Sequence, residues 1–142
     1  MRIRDVLAAK PAGVLTVEPG TPVTGLLTAL AARGVGAAVV VGDDGAVVGM
    51  VSERDVVRHL HHRGAGLLAD TVSSIMTGPV TTCGADDEVD ALAGVMTQRR
   101  IRHVPVVADG KLTGIVSIGD VVKTRLDELE AHRDQLEAYI AG

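Results

Sequence analysis

An internal repeat is the feature that most constrains how this chain folds. Residues 45–57 align with residues 110–122 at an offset of 65, and seven of the thirteen aligned positions are identical. Upstream of Asp109 the offset becomes 66, because Asp43 and Asp44 both face that single residue. Apolar positions match between the copies: Val14 with Val80, Val23 with Val89, and Leu26 with Leu92. Two units that share an apolar pattern are expected to pack with pseudo-two-fold symmetry.

Each copy begins with a predicted strand and helix. The strand lies at 14–17 in the first copy and at 80–83 in the second. The helix that follows has Thr21 or Asp87 as its predicted N-cap, and Pro22 suits the first helical position.

Two more strands and a second helix complete each copy. The runs 37–41 and 104–107 are apolar throughout, which is typical of a strand covered on both faces. Turn residues lead from them into second strands at 47–51 and 112–116, so each pair is expected to form a hairpin. Each copy therefore has the order β-α-β-β-α.

These elements predict an α/β (α+β) fold of two β-α-β-β-α repeats with a long C-terminal helix. The predicted boundaries are 1–66 for the first repeat, 67–124 for the second and 125–142 for the last helix. Short helices are expected to lead into the units at 2–9 and 73–76, with a connector at 63–66. A chain of 142 residues, 46% of them apolar, is long enough to fold without disulfide or metal.

Composition disfavours several classes of protein. The net charge is −4, and Tyr139 is the single aromatic residue, so neither a basic surface nor a base-stacking platform indicates nucleic-acid binding. The lone Cys83 excludes an internal disulfide and suits a reducing compartment. The residues after Met1 lack the apolar core of a signal peptide, and the longest apolar stretch, 35–41, is too short to span a bilayer. We expect a soluble, cytoplasmic protein without nucleic-acid or membrane partners.

The motif Gly-x-Val-Ser-x-x-Asp occurs once in each copy, and two interpretations are open. Ser52 with Asp55, and Ser117 with Asp120, have the spacing of a capping box, which by itself only starts a helix. Alternatively, the same helix N-terminus favours a phosphate, while the carboxylate accepts hydrogen bonds from two vicinal ribose hydroxyls and the serine reaches ribose or phosphate. Two symmetric copies then form two nucleotide-sized clefts between the repeats.

Residues 2–124 resemble a tandem pair of CBS domains, the regulatory repeat of cystathionine β-synthase, paired as a Bateman module. The resemblance rests on the two motifs at 49–55 and 114–120 and on Arg-Arg-Ile-Arg-His-Val-Pro-Val-Val at 99–107. It implies a sensor that binds AMP, ADP or ATP, or else NAD or S-adenosylmethionine, between its repeats. It implies no catalysis and no required cofactor.

The resemblance also implies roles for individual residues. Asp55 and Asp120 would hold ribose, and Thr16 and Thr82, each at the start of the opposite repeat, would help to hold the adenine or the sugar. Residues just before the middle strand of the opposite repeat would approach the phosphates. One departure is that Ala38-Val39 stands where the second repeat has Val104-Pro105.

The two expected clefts are unequal. The Asp55 cleft gains Arg54 from its own repeat, with Arg102 and His103 from the other. The Asp120 cleft has Gly119, Gly36 and Ala37 at the matching positions. Phosphate needs cationic or N–H partners. We therefore predict that the Asp55 site binds the more charged ligand end and that the Asp120 site is weak, empty or filled by a less charged molecule.

Metal binding and catalysis have weaker support. His59 and His62 are three residues apart and suit a metal, but no carboxylate or cysteine lies at a matching interval, and imidazoles near a helix C-terminus are favourable anyway. Cys83 is most simply a small buried strand residue. No base–nucleophile set marks an enzyme. We expect neither a metal site nor an active site.

The C-terminal segment predicts one helix from Ile118 to about Ile140. Its apolar residues follow spacings of four and three, interrupted by Arg133; they are Val122, Leu126, Leu129, Leu136 and Ile140. This seam either packs on its own domain or contacts a second chain, and a homodimer is expected. The predicted protein is a regulatory adenosyl-ligand sensor whose output is either an effect on another protein or ligand buffering alone; the alternative is an adaptor with vestigial clefts.

Overall fold

The computed structural model describes residues 1–11 and 13–142 of the chain. Its elements in chain order are α1 Ile3–Ala8, β1 Thr16–Val17, α2 Val23–Arg33, β2 Ala37–Val41, β3 Val47–Ser52, α3 Glu53–Arg63, 3₁₀ turns Gly64–Ala69 and Val72–Ser74, α4 Val89–Arg99, β4 His103–Ala108, β5 Lys111–Ser117 and α5 Ile118–Ala141. The predicted mixed α/β class with a long final helix is confirmed. None of the helices in the described part of the chain combines the length and apolarity that crossing a membrane requires.

The middle strands form the two predicted hairpins. In a three-stranded sheet of order β1-β2-β3, β2 pairs antiparallel with β3; in a second sheet, β4 pairs antiparallel with β5. Asp109 and Gly110 join β4 to β5 with positive φ values of 52° and 77°. Two consecutive positive φ values fit a type I′ turn, whose twist matches that of the flanking strands.

The prediction of a strand at 80–83 is wrong. In the first repeat β1 runs parallel to β2, and the Val39 N–H donates to the Leu15 carbonyl at 3.0 Å. The equivalent position in the second repeat is Pro105, which has no N–H to donate. There the pairing shrinks to a single parallel bridge between Cys83 and Val106.

Two predicted helix caps are displaced by one residue. Pro22 and Glu88 are the N-caps of α2 and α4, and neither caps through its side chain. Thr21 and Asp87 lie outside the helices, and their carbonyls accept hydrogen bonds from Val72 and Ile3 of the lead-in segments, at 2.8 and 2.9 Å. Pro22 is therefore not the first helical residue.

Neither lead-in segment packs on the repeat that follows it in the chain. Ile3 and Val6 of α1 lie in the core of the second repeat, whereas Val72 and Ile75 lie in the core of the first. The core around α1 comprises Ile3, Val6, Cys83, Val89, Leu92, Met96, Val104, Val106, Val116 and Val121. The other comprises Val23, Leu26, Leu30, Ala38, Val40, Val51, Val56, Leu67, Val72 and Ile75. This exchange brings the segment 1–10 against β5 and the segment 70–79 against β3, the second strand of each hairpin.

Candidate functional site

Both Ser–Asp corners begin a helix, and both contain a capping box. The Ser52 N–H donates to Asp55 Oδ2 at 2.8 Å, and the Ser117 N–H donates to Asp120 Oδ2 at the same distance. The capping interpretation is thus correct for one oxygen of each carboxylate. Asp55 Oδ1 accepts no hydrogen bond from the residues described, although Asp55 is only 9% exposed. A largely buried carboxylate with one free oxygen retains acceptor capacity for a ligand.

A cleft of about 490 Å³ opens beside Asp55. Its volume falls in the range of about 300–1,000 Å³ that small-molecule sites occupy. The wall comes from β2, the end of β3, the first turns of α3, the segment before Cys83, and the residues that lead into β4. The lining residues are Gly36, Ala37, Met50 to Asp55, Arg58, Thr77, Pro79 to Thr81, and Arg100 to His103. The cleft therefore lies between the two repeats. Gly36 and Ala37, which were predicted to line the Asp120 cleft, line the Asp55 cleft instead.

Four arginine residues line this cleft: Arg54 and Arg58 on α3, and Arg100 and Arg102 before β4. None of them has an acidic partner within 4.0 Å among the described residues. Two carboxylates, of Glu53 and Asp55, face them. The cleft consequently carries an excess of positive charge that is available to an anion.

His103 adds a neutral side chain to the same wall. It is half-buried, and burial lowers the pKa of its imidazole, with the positive charges of Lys10 and Arg102 acting in the same direction against the attraction of Asp120. The ring can therefore accept or donate a hydrogen bond without adding charge at neutral pH.

The Asp120 corner has a different neighbour. The Lys10 ammonium donates to Asp120 Oδ2 and to the Ile115 carbonyl, each at 2.7 Å. Burial by itself acts to raise the pKa of Asp120, but hydrogen bonds from Lys10 and Ser117 outweigh it, so the pKa is lowered. This carboxylate is therefore already paired with a cation, whereas Asp55 is not.

Comparison with known proteins decides the family. The sequence profile described as "CBS domain" matches residues 3–62 and 72–127. The chain belongs to the CBS-domain family. Pairs of CBS domains are regulatory modules.

Relatives agree over most of the chain. A crystal structure of a CBS-domain containing protein from Agrobacterium tumefaciens is 42% identical, with a TM-score of 0.83, over 88% of this chain and 99% of that one. A mitochondrial CBS domain-containing protein of Arabidopsis thaliana is 38% identical over 112 residues, which is 76% of this chain. The chain spans 54% of the length of that Arabidopsis protein.

Two solved CBS structures hold adenosine compounds. One, 27% identical over 89% of this chain and 96% of its own, is a complex with AMP, with a TM-score of 0.74. The other is a CBS domain pair in complex with 5′-methylthioadenosine and S-adenosylmethionine. It is 26% identical over 90% of this chain and 98% of its own, with a TM-score of 0.79.

The predicted site residues divide between the two CBS corners. Ser52, Arg54, Asp55, Arg102 and His103 all line the Asp55 cleft. Ser117 and Asp120 form the second corner and do not line the Asp55 cleft, but Ser117 is the strand partner of His103.

Neither predicted threonine is among the residues that line the Asp55 cleft. Thr82 is exposed and is not among the residues that line the cleft. Its neighbour Thr81 takes that place, and the Thr81 hydroxyl accepts a hydrogen bond from Arg99 at 2.8 Å. Thr16 lies exposed in β1, opposite Val39.

Sequence reasoning missed Arg58, Arg100 and Lys10. Arg58 could have been found, because it follows Arg54 by four residues and therefore shares its helix face. Arg100 is the C-cap of α4 and has a left-handed φ of 56°. The sequence does not predict this conformation for an arginine. Lys10 could have been found only by aligning the lead-in segments with each other.

The histidines at the end of α3 and Cys83 have structural contacts. His59 Nδ1 lies 2.8 Å from the Asp55 carbonyl oxygen one turn earlier in α3, and the rings of His61 and His62 meet edge to face at 5.1 Å. Cys83 is buried beside β4. Burial, followed by the charge of Asp87, raises the pKa of its thiol to about 11. At neutral pH this thiol stays protonated and is a poor nucleophile.

Proposed function

We propose that this CBS pair is a regulatory module that binds an adenosine nucleotide in the Asp55 cleft and catalyses no reaction. The observation that carries the proposal is the buried Asp55 carboxylate, with a free oxygen, in an inter-repeat cleft whose four guanidinium groups have no acidic partners in the described structure. The capping box alone does not explain the uncompensated cations.

The carboxylate suits a ribose. Ser52 holds Asp55 Oδ2 by its backbone N–H, and this contact fixes the rotamer of the side chain. The carboxylate can then accept from the vicinal hydroxyls of a sugar through its remaining lone pairs. Hydrogen bonds to a charged acceptor contribute about 1.5–3 kcal/mol each. This geometry favours a nucleoside over a free base.

The guanidinium groups suit phosphate. Arginine presents paired N–H donors that match a phosphate, and the N-terminus of α3 adds its dipole. The N–H groups of Glu53 and Asp55 already donate to the Gly36 carbonyl and to Ser52 Oγ, which leaves the Arg54 N–H for a ligand. S-adenosylmethionine carries a sulfonium cation, which the arginines repel. Among adenosine ligands, those with phosphate groups, AMP, ADP and ATP, are therefore favoured, in agreement with the related structure that binds AMP.

Binding in this cleft provides a means of regulation. Its walls come from both repeats, so a ligand that bridges them stabilises one relative arrangement over others by its differential affinity. The output is then a change in affinity for another protein.

A ligand panel tests this function. Thermal unfolding is measured with AMP, ADP, ATP, NAD and S-adenosylmethionine, and a ligand at 100 times its Kd adds about 2.7 kcal/mol of stability. We expect the phosphate-bearing adenosine ligands to raise Tm. No shift with any member would favour an adaptor whose clefts are vestigial.

Matched variants locate the site. Asp55→Asn keeps the shape and one acceptor oxygen, and it is expected to weaken AMP binding at least tenfold in calorimetry. Asp120→Asn is the control at the equivalent corner and leaves the affinity for AMP unchanged. A greater loss of AMP affinity with Asp120→Asn would show that the ligand binds at the Asp120 corner and not in the Asp55 cleft.

We also propose that α5 mediates a homodimer. Its apolar seam is exposed on the single chain, at 55% for Leu126, 65% for Leu129 and 83% for Ile140. Apolar residues at this spacing suit helix–helix contact with a second copy. Ending the chain after Asp127 should shift the mass measured by light scattering to that of a monomer. Arg133→Ala in the full-length chain is the control and should leave the mass unchanged. A truncated dimer would show that the contact lies elsewhere.

A further inference from the structure

The two lead-in segments are equivalent at an offset of 69 residues. The Val23 N–H donates to the Asp70 carbonyl just as the Val89 N–H donates to the Met1 carbonyl, at 2.9 and 3.0 Å. The buried pairs follow the same offset, since Ile3 corresponds to Val72, Val6 to Ile75 and Leu7 to Met76. Continued by three residues, this equivalence matches Lys10 with Pro79.

In the second repeat, the Lys10 side chain takes the place of a backbone hydrogen bond that the segment 70–79 makes in the first repeat. Met50 and Thr77 exchange two backbone hydrogen bonds, at 2.9 and 2.8 Å, beside the Asp55 cleft. Their equivalents are Ile115 and Ala8, but Ala8 belongs to α1. The Ile115 carbonyl accepts from the Lys10 ammonium instead, and a second donor of that ammonium reaches Asp120.

Close packing fixes the position of Lys10. A Cβ on Gly114 would lie 2.8 Å from Leu7 Cδ2, so α1 sits directly on β5. Ile3 and Val6 are at most 4% exposed in the same core. The segment that bears Lys10 is therefore anchored three residues before it, and the lysine side chain is itself only 27% exposed.

We infer that Lys10 is a built-in counter-ion that closes the Asp120 corner to adenosine ligands and leaves the Asp55 cleft as the single ligand site of each chain. A ligand that uses Asp120 as its ribose acceptor has to compete with the ammonium at Oδ2. Pro79, at the equivalent place, lines the Asp55 cleft and offers no charge. This inference rests on the proposed function for its ligand class, but the contact itself does not.

Carboxylate titration by NMR tests the contact without a ligand. Lys10→Met keeps the side-chain length and removes the charge, so the pKa of Asp120 is expected to rise. Lys111→Met, at an exposed lysine on β5, is the matched control and leaves that pKa unchanged. Lys10→Gln serves as a second variant if the first unfolds. An Asp120 pKa that is the same in the wild type and in both Lys10 variants would overturn the inference.

Calorimetry with adenosine and AMP tests the closure. The wild type is expected to bind one ligand per chain, Lys10→Met two, and the double variant Lys10→Met with Asp55→Asn one, at the second corner. Two ligands on the wild type, or one on Lys10→Met, would overturn the closure while leaving the proposed function intact. Absence of binding to the wild type would overturn the proposed function, and the NMR titration would still decide the role of Lys10.

Discussion

The Asp55 and Asp120 corners share one sequence motif and one backbone geometry, yet their surroundings differ. In both, a serine N–H holds the aspartate Oδ2 at 2.8 Å. At the first corner the nearby cations are four arginines without acidic partners in the described chain, whereas at the second a lysine pairs directly with the carboxylate. A local motif therefore does not determine a binding site; the segments that pack over it do.

The largest expected effect concerns the charge that only the Asp55 cleft has. Arg102→Ala removes one guanidinium while keeping the Arg102 carbonyl that accepts from the Ile118 N–H. Because Arg102 is exposed, the expected loss is about 1.5 kcal/mol, or roughly tenfold in AMP affinity by calorimetry. Adenosine, which has no phosphate, should lose nothing.

Arg33→Ala is the control for this comparison, since Arg33 lies exposed at the end of α2, outside the cleft. It should leave binding of both ligands unchanged. Equal weakening of adenosine and AMP by Arg102→Ala would mean that the side chain supports the shape of the cleft and does not bind phosphate. Raising the salt concentration should weaken AMP binding more in the wild type than in Arg102→Ala.

A second comparison concerns how tightly each lead-in segment packs. A Cβ on Gly49 would lie 2.7 Å from Met76 Sδ and 3.0 Å from the Thr77 carbonyl oxygen, whereas one on Gly114 meets only the Leu7 side chain among its three nearest neighbours. Overpacking costs about 1–3 kcal/mol. The Thr77 carbonyl, which accepts a hydrogen bond from Met50, can shift less to make room than the methyl groups of a leucine side chain. Denaturant unfolding should show a greater loss for Gly49→Ala than for Gly114→Ala. The opposite order would contradict the packing described for the first repeat.

The smallest effect is a dependence of stability on pH that arises at His103. Its pKa is lowered by burial and by Lys10 and Arg102, so the unfolded chain binds a proton more readily than the folded one. Stability is then fully present above the ordinary histidine pKa of about 6.5 and is lost as the pH falls below it. Asp120, whose pKa is also lowered, adds a loss below about pH 4.

Urea unfolding from pH 7 to 5 measures the first of these windows. His103→Gln should flatten the dependence there, and His132→Gln, on the exposed part of α5, should not. A slope unchanged by His103→Gln would show that other groups carry it.

Much of the fold could be predicted from the sequence because the same sequence pattern occurs in both repeats. The hairpins, the serine–aspartate corners and the long final helix all follow from local patterns that recur in both copies. Arg102 and His103 were found because they differ from Gly36 and Ala37 at aligned positions. The loss of the strand at 80–83 was within reach, since Pro105 has no N–H to extend the pairing.

What sequence could not show is which segment covers which corner. The exchange of α1 and residues 72–76 between the cores depends on tertiary packing, in which Leu7 meets Gly114 and Met76 meets Gly49. Lys10 therefore reaches Asp120, 110 residues away in the chain. Contacts of that separation leave no periodicity in a single sequence.

A crystal structure of the full chain grown with excess AMP tests the central claim most directly. We expect density for one nucleotide per chain, with its ribose on Asp55 and its phosphate on the arginines, while Lys10 keeps its contact with Asp120. Two empty corners, or AMP bound against Asp120, would contradict this account.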